Sequence, residues 1–452
     1  MTRKELERTH PHYDSMVEEW QFYIRSYFGG RMYRDGNYLI QHPFESSTNY
    51  RRRRETSYYY NYCGPIVDIF TSHLFRHRAK RDYGSLTGNP LFDAFLRDSD
   101  LEGTPFTNFM RDAHRFASIY GRVSIVVDRP PLRADTVAQA QRGDIRPYLS
   151  LITPENLTDW SFVRLPSGRV VLDMVKIRED ERTYRIWRRD GWEVWRIEDG
   201  GGECVLVDSG EHSMGMVPVV NLYNKRSGIR MLGISDIQDI ADINRNIYYL
   251  CSDAREIIEN TAFPMLALPY TRGVGEDERE IGPRNIIQFD PGEPNSKPYW
   301  LEAPHSSLSE IREWVKQDIA EIHRIAKMGG VKATEDLSQP RSGIAIELEY
   351  QQLHATLSEK ADNLEQAETE ILRLWAGWEG REFDGRIDYP DDFSVRDLDR
   401  DLERALRVQD VKIQSPTFRR ELQKKIAVSV FPKMDEKTMK RIEEEIDGAE
   451  DV

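Results

Sequence analysis

Two stretches of this sequence repeat isoleucine or leucine every three or four residues, and only a short Gly- and Pro-rich segment separates them. In the first, Ile234, Ile237, Ile240, Ile243, Ile247 and Leu250 mark one helix face. That spacing predicts a helix running to about Asn260, roughly 39 Å long. Ser235 and Gln238 read as its capping box. In the second, Leu308, Ile311, Val315, Ile319, Ile322 and Ile325 recur in the same way, opened by Ser307 and Glu310. Gly329-Gly330 stops this helix near Met328, as glycine past a helix end does. Between them, 263–268, 285–289 and 299–301 read as short strands. The pattern therefore predicts a two-helix stalk with a small β cap. A third helix, 344–378, carries Leu353, Leu357, Leu364, Ile371, Leu374 and Trp378. At roughly 52 Å it is far longer than an ordinary helix. The stalk's apolar residues fill more than one narrow stripe and call for a cover. A symmetric oligomer supplies one, and so does a coiled-coil hairpin inside a large monomer.

The preceding residues mix helices and strands, which makes the chain α+β. Tyr13 to Phe28 reads as an amphipathic helix with Met16, Trp20, Tyr23 and Ile24. A second helix is expected from Tyr58 to Arg76, after the run Arg51-Arg52-Arg53-Arg54. Phe106, Phe109, Met110 and His114 lie at helical spacing. The Tyr120-Gly121 turn then leads into the buried strand Val123 to Val127. Tyr148 to Ile152 reads as a strand ending at Pro154, and strands at 170–177, 183–187 and 192–197 suggest a meander, with Arg189-Asp190-Gly191 turning between the last two. Val217 to Leu222 is another short strand.

Composition removes several function classes. No stretch reaches the roughly 18 apolar residues of a membrane span, and the first residues lack a signal peptide's apolar core. Three cysteines, Cys63, Cys204 and Cys251, are too few for a disulfide scaffold or a cysteine zinc site. No phosphate-binding GxxxxGK[ST] loop occurs, so the chain is not itself an ATP-driven motor. His73 and His77 stand at i, i+4 without the intervening Glu of a zinc-hydrolase helix. Asp388, Asp391 and Asp392 read as a solvated loop rather than a cation site. No enzyme activity, cofactor or metal is expected. The net charge of −14 argues against a protein that grips nucleic acid by its overall field.

Several segments, taken in order, resemble the portal (head-to-tail connector) proteins of tailed bacteriophages. They are Arg54 to Tyr62 followed by Ile66 to Phe70, Ala117 to Ser124 with its Tyr-Gly junction, and Ile152 to Trp160. Gly215 to Val220 ahead of Gly233 to Ile237, and Ser342-Gly343-Ile344-Ala345 at the start of the long helix, complete the set. Each motif is weak alone; their order and the helix–β–helix layout carry the resemblance across nearly the whole chain. It implies an N-terminal wing (1–232), stem helices (233–262 and 306–328), a clip (263–305) and a tunnel loop (329–343). A long wing helix (344–385) and a C-terminal wing with a short helical crown (386–452) would follow.

The resemblance further implies a ring of about twelve copies around a channel for double-stranded DNA. It implies partners: the terminase large subunit, major capsid and scaffolding proteins, and head-to-tail adaptor or neck proteins, with no membrane. The location would be the capsid portal vertex of the virion, and the host cytoplasm during assembly. Lys327, Lys332, Thr334, Glu335, Asp336, Ser338, Gln339 and Arg341 are the candidates for the channel. The bases would touch phosphate and the acids repel it; otherwise Lys327 only complements a helix C-terminus. Arg272, Glu276, Asp277, Glu278, Arg279, Glu280 and Arg284 are the candidates for docking a motor or adaptor at the clip, or else a solvated loop. The arginine run 51–54 reads as ion pairs between elements or subunits in preference to a nucleic-acid patch. For a DNA conduit the −14 is an asset, since acidic walls let DNA pass without sticking. The rival readings are a helical oligomeric scaffold or adaptor without a DNA channel, and a hydrolase with its site near Asp159 or His212.

Overall fold

A computed structural model describes residues 1–76, 78–131, 137–198, 203–262, 265–269, 286–289, 297–301, 306–327, 343–390, 393, 415–430 and 436–448. The chain divides into one unit at Met1–Asp392 and a second at Phe393–Val452.

The first unit opens with helices α1 (Arg3–Glu7), α2 (Pro11–Asp14), α3 (Val17–Phe28), α4 (Gly30–Asp35), α5 (Ser47–Thr56) and α6 (Cys63–Leu74). Strand β1 (Lys80–Asp82), α7 (Pro90–Arg97), α8 (Phe106–Tyr120), β2 (Arg122–Asp128) and α9 (Val137–Arg142) follow. Next come β3 (Tyr148–Ile152), β4 (Leu157–Arg164), β5 (Val170–Arg178), β6 (Thr183–Arg188), β7 (Gly191–Ile197), β8 (Cys204–Glu211) and β9 (Val219–Tyr223). The stalk-like part is α10 (Gln238–Ala262), β10 (Met265–Pro269), β11 (Ile286–Phe289), β12 (Tyr299–Leu301) and α11 (Ser306–Ile325). The long helix α12 (Gly343–Trp378) and β13 (Arg386–Asp388) close the unit. In the second unit, α13 (Pro416–Val430) and α14 (Glu436–Gly448) are tied by Lys424, whose ammonium lies 2.6 Å from Asp447.

Strands β4 to β8 form an antiparallel meander, of which the alternating sequence predicted the three central strands β5, β6 and β7. One face is closed by α1, which inserts Leu6 among Tyr184, Ile186 and Ile197. A second antiparallel sheet, ordered β3-β2-β9, has its central strand buried at every position. That explains the consecutive apolar run Ile125-Val126-Val127, since a strand covered on both faces needs no polar alternation. The C-terminal turns of α12 complete this core, with Trp375 fully buried against Phe92 and Phe95.

The expected helix 13–28 is two helices, broken at Ser15 and Met16. The expected helix 58–76 is shorter, because Tyr58 to Tyr62 lie outside α6. Pro65 is tolerated in the first turn of α6, but in a helix begun at Tyr58 it would stand in the interior, with no N–H for the Asn61 carbonyl and its ring against it. The chain there is held instead by side-chain amides. Asn61 Oδ1 accepts from Gly64 N at 2.9 Å, and Asn244 Oδ1 accepts from Tyr62 N at 3.0 Å. The arginine run sits on a helix of its own, α5, capped by Ser46 Oγ. Strand β8 gave no period-2 signal because its residues are exposed on both faces.

Backbone contact between Gly121 and Gly233 fixes where α10 leaves the sheet. A Cβ on Gly233 would lie 1.9 Å from the Gly121 carbonyl oxygen. Gly121 ends α8 in the left-handed region at φ +86°, which glycine alone adopts freely. Gly233→Ala is therefore expected to cost at least ~3 kcal/mol, read as a drop in thermal unfolding temperature. Gly228→Ala, whose Cβ would meet open space though its φ is +84°, should cost less, ~1 kcal/mol.

Candidate functional site

The feature on which α10, α11 and α12 all depend is a buried polar joint at the start of α10. Ser235 and Asp236 stitch that start onto the end of α8. Asp236 N donates to Ser118 O at 2.9 Å, and Ser235 Oγ donates to Ile119 O at 2.6 Å. Ser235 Oγ also accepts from Ile237 N at 3.1 Å, a turn that precedes the helix in place of the expected Ser235–Gln238 capping box, because α10 starts at Gln238. Into this joint α12 delivers Lys360, which is 3% exposed. Its ammonium donates to Asp236 Oδ2 at 2.6 Å, to Ser118 Oγ at 3.3 Å and to Asn224 Oδ1. All three protons of a lysine are thereby used. The Asn224 amide turns back onto Asp236 Oδ1 and Ile234 O, each at 2.9 Å.

A second clamp lies eight residues along α12, about 12 Å on. Glu368 is fully buried and takes a two-pronged bond from Arg81 of β1, at 2.9 and 2.8 Å. Tyr389, just past β13, donates its hydroxyl to the same carboxylate. Burial, then the Glu368 charge, holds the Tyr389 phenol well above its ordinary range. The β1–β13 pair and α12 are thus locked by one carboxylate.

A third set of contacts grips α10 along its length. Asn244, fully buried, receives Tyr59 Oη at 3.0 Å. Arg52 reaches Glu256 at 2.8 Å and Glu259 at 3.0 Å. Arg53, 3% exposed, forks onto Glu45 and touches Ser252 Oγ at 3.2 Å. The arginine run therefore forms ion pairs between elements, the reading preferred on sequence grounds. Sequence reasoning did not single out Lys360, Asp236, Glu368 or Arg81. The one available signal was a charged residue inside the apolar stripe of α12.

Of the channel candidates, Lys327 is the one within the described residues. It is exposed, adopts φ +56° just past the end of α11, and donates to Thr356 Oγ1 of α12 at 2.8 Å. Lys332, Thr334, Glu335, Asp336, Ser338, Gln339 and Arg341 lie outside the described residues. So do the clip candidates Arg272, Glu276, Asp277, Glu278, Arg279, Glu280 and Arg284, together with His77, Asp391 and Asp392. Asp159 is buried beside Arg8 and Lys176, at 3.4 and 3.9 Å. His212 lies between the rings of Trp187 and Trp378. Among the described residues no group of three or more His, Cys, Asp or Glu could hold a metal ion. None of their helices is long and apolar enough to cross a membrane.

With this geometry in view, comparison with known proteins gives one family match. Residues 236–379 match a domain of unknown function, DUF4055. The matched segment begins at Asp236, the carboxylate of the joint, and runs through α10, α11 and α12. No curated protein matches the chain. Solved structures with similar folds include one titled as the virion of a native gene transfer agent particle. It has 12% identity and a TM-score of 0.44, over 79% of this chain and 88% of that one. The neck of an empty gene transfer agent particle, computed with C6 symmetry, has 10% identity and a TM-score of 0.41, over 89% and 93%. The neck of the native particle, computed with C12 symmetry, has 11% and 0.41, over 99% and 96%.

One group next to the joint titrates near neutrality in the unfolded chain. His114 is fully buried on α8, one turn from Ser118, and its Nδ1 pairs with Thr71 Oγ1 at 3.2 Å. Burial, and secondarily the nearby Lys360 charge, hold its pKa well below the ordinary 6.5. The unfolded chain thus binds a proton that the folded chain refuses. The stability His114 provides is complete above pH 6.5 and is lost below it, by up to ~1.4 kcal/mol per pH unit. His114→Asn should flatten that acid limb by one proton, measured by denaturant unfolding at a series of pH values.

Proposed function

We propose that this chain is the portal subunit of a tailed-phage-like particle, a structural and non-enzymatic virion component. About twelve copies would form a ring around an axial channel for double-stranded DNA. The observation that carries this reading is the helix–β–helix unit rooted in a rigid joint. Helices α10 and α11 leave the body side by side, linked at Asn246 and Asp318 by a 2.7 Å hydrogen bond. They end at a small sheet in which β10 pairs parallel with β11 and antiparallel with β12. The long helix behind them is pinned by two buried clamps. A subunit that meets neighbours all round a ring needs such a rigid spoke, because errors in spoke angle accumulate before the ring closes. The ordered motifs of the resemblance support the same reading. The Tyr120-Gly121 and Gly233 to Ile237 motifs are the two sides of the joint.

In this reading α10 and α11 are stem helices, 263–305 is the clip that docks the terminase motor and later adaptor proteins, and 329–343 is the tunnel loop. Lys332 and Arg341 would form a narrow basic girdle in an otherwise acidic channel, which keeps phosphate contacts few. Capsid and scaffolding proteins would meet the outer body during assembly in the host cytoplasm.

Negative-stain microscopy with light scattering tests the core of this proposal. The purified chain is expected to form rings of about twelve subunits with a central hole. A stable monomer, or a closed oligomer without a hole, would overturn it; the latter outcome favours the helical scaffold.

A further inference from the structure

We propose that neighbouring copies are joined head to tail by one apolar knob, Ile40 with Phe44, entering a groove at Trp314 of the next copy. This rests on the ring reading above and names its contact.

The knob is an irregular segment held rigid from behind. Arg53 donates to Ile40 O at 2.6 Å and forks onto both oxygens of Glu45 at 2.8 Å. Glu45 in turn takes His42 N at 3.1 Å, and His42 Nε2 meets Asp253 of α10 at 3.2 Å. Tyr249 and Tyr50 bind the carbonyls of Tyr38 and Leu39, each at 2.6 Å. Yet Ile40 is 65% exposed and Phe44 102%. A loop tied down by a buried ion pair, with its large apolar side chains facing water, is preorganised for a contact that the single chain does not supply.

The groove is on α11. It is a shallow, open depression along one face of that helix, beside Ser309, Glu310, Glu313, Trp314 and Gln317. The Trp314 side chain, at 57% exposure, is its apolar wall.

The two features sit at the same level on the hairpin. Helices α10 and α11 run antiparallel, since the antiparallel β10–β12 pair brings their ends together. The Asn246–Asp318 bond sets their register. Seven residues beyond that bond toward the β module, Asp253 lies opposite Ile311, about 10 Å further along. The knob is anchored at Asp253, and the groove spans 309–317. Rotation about an axis parallel to the hairpin preserves height along it. In a ring whose axis runs along the hairpin, a knob and a groove at equal height on different helices can meet between successive copies, in a contact that closes instead of climbing. Charge agrees: exposed Arg51 lies on the knob's supporting helix, and Glu310 and Glu313 rim the groove.

The test uses the full chain carrying Ile40→Asp with Phe44→Asp, and separately Trp314→Ala. All three residues are exposed, so circular dichroism and Tm should match the parent. By sedimentation at equal concentration, each variant alone is expected to lose ring assembly at least tenfold. Mixed together, they retain one intact knob and one intact groove per pair, so a one-to-one heterodimer is expected. A parent that forms rings while either variant also does so overturns the knob-and-groove contact and leaves the ring reading standing. A mixture that stays monomeric overturns it as well. A parent that forms no ring overturns both. As a second measurement, Phe44→Cys with Gln317→Cys under mild oxidation should give a ladder of covalent multimers that neither single variant gives. A ladder no different from the single variants counts against the contact.

Discussion

One ammonium group, that of Lys360, is buried where three segments of the chain meet, and the remaining architecture hangs from it. Its partners come from α8 (Ser118), from the turn after β9 (Asn224) and from the start of α10 (Asp236). A buried ion pair of this kind is weak evidence for stability, because desolvation offsets much of the attraction. What it supplies is uniqueness. An apolar residue at 360 would pack with α12 slid or rotated by a fraction of a turn. An ammonium with three defined acceptors accepts one position only. The Gly121–Gly233 contact does the same for the backbone, since two chains this close cannot shift without collision.

The two kinds of constraint act on different helices and so combine. Glycine contact and backbone hydrogen bonds fix the origin of α10, and Asn244 and Arg53 then fix its direction. Lys360 fixes the height of α12 and Glu368 its rotation. With α11 bound to α10, the hairpin and the long helix share one frame of reference. Arg122 shows what this buried polar layer costs. Its guanidinium is fully buried, bonded to Ser124 Oγ at 2.6 Å and Asn221 Oδ1 at 3.1 Å, with no carboxylate paired to it among the described residues. Burial accordingly lowers its pKa to about 10. A strand that must sit centrally between two others tolerates this charge because hydroxyl and amide oxygens neighbour it.

How much of this was legible in the sequence depends on whether a feature is periodic or pairwise. The α10, α11 and α12 helices and three strands of the meander were readable, because each imposes a repeat of 3.6 or 2 on its apolar residues, and the central strand was readable as a short apolar run. The joint was not. A lysine at 360 and an aspartate at 236 stand 124 residues apart, and nothing local ties them. The Tyr58 to Tyr62 segment failed for the opposite reason. Its aromatic residues mimic a helical stripe, while Pro65 and two asparagines, one of them remote, hold it out of the helix. Gly233 was visible as part of a motif, but its reason, a carbonyl oxygen in van der Waals contact, exists only in three dimensions.

The same distinction separates the candidate site residues. A loop such as 329–343 or a turn such as 276–280 is identified on a sequence by what it lacks, namely periodicity, so its charges are assigned roles by position alone. The arginine run at 51–54 shows how such an assignment is decided. On paper it is a basic patch, and phosphate would be its natural partner. In the fold Arg52 and Arg53 are committed to Glu256, Glu259 and Glu45, and their neighbour Arg54 to the Asn37 side-chain oxygen at 2.9 Å. A guanidinium already forked onto a carboxylate has to give up a charge-assisted bond before it can meet a phosphate. The arginines of this run are thereby engaged in holding the protein's own helices.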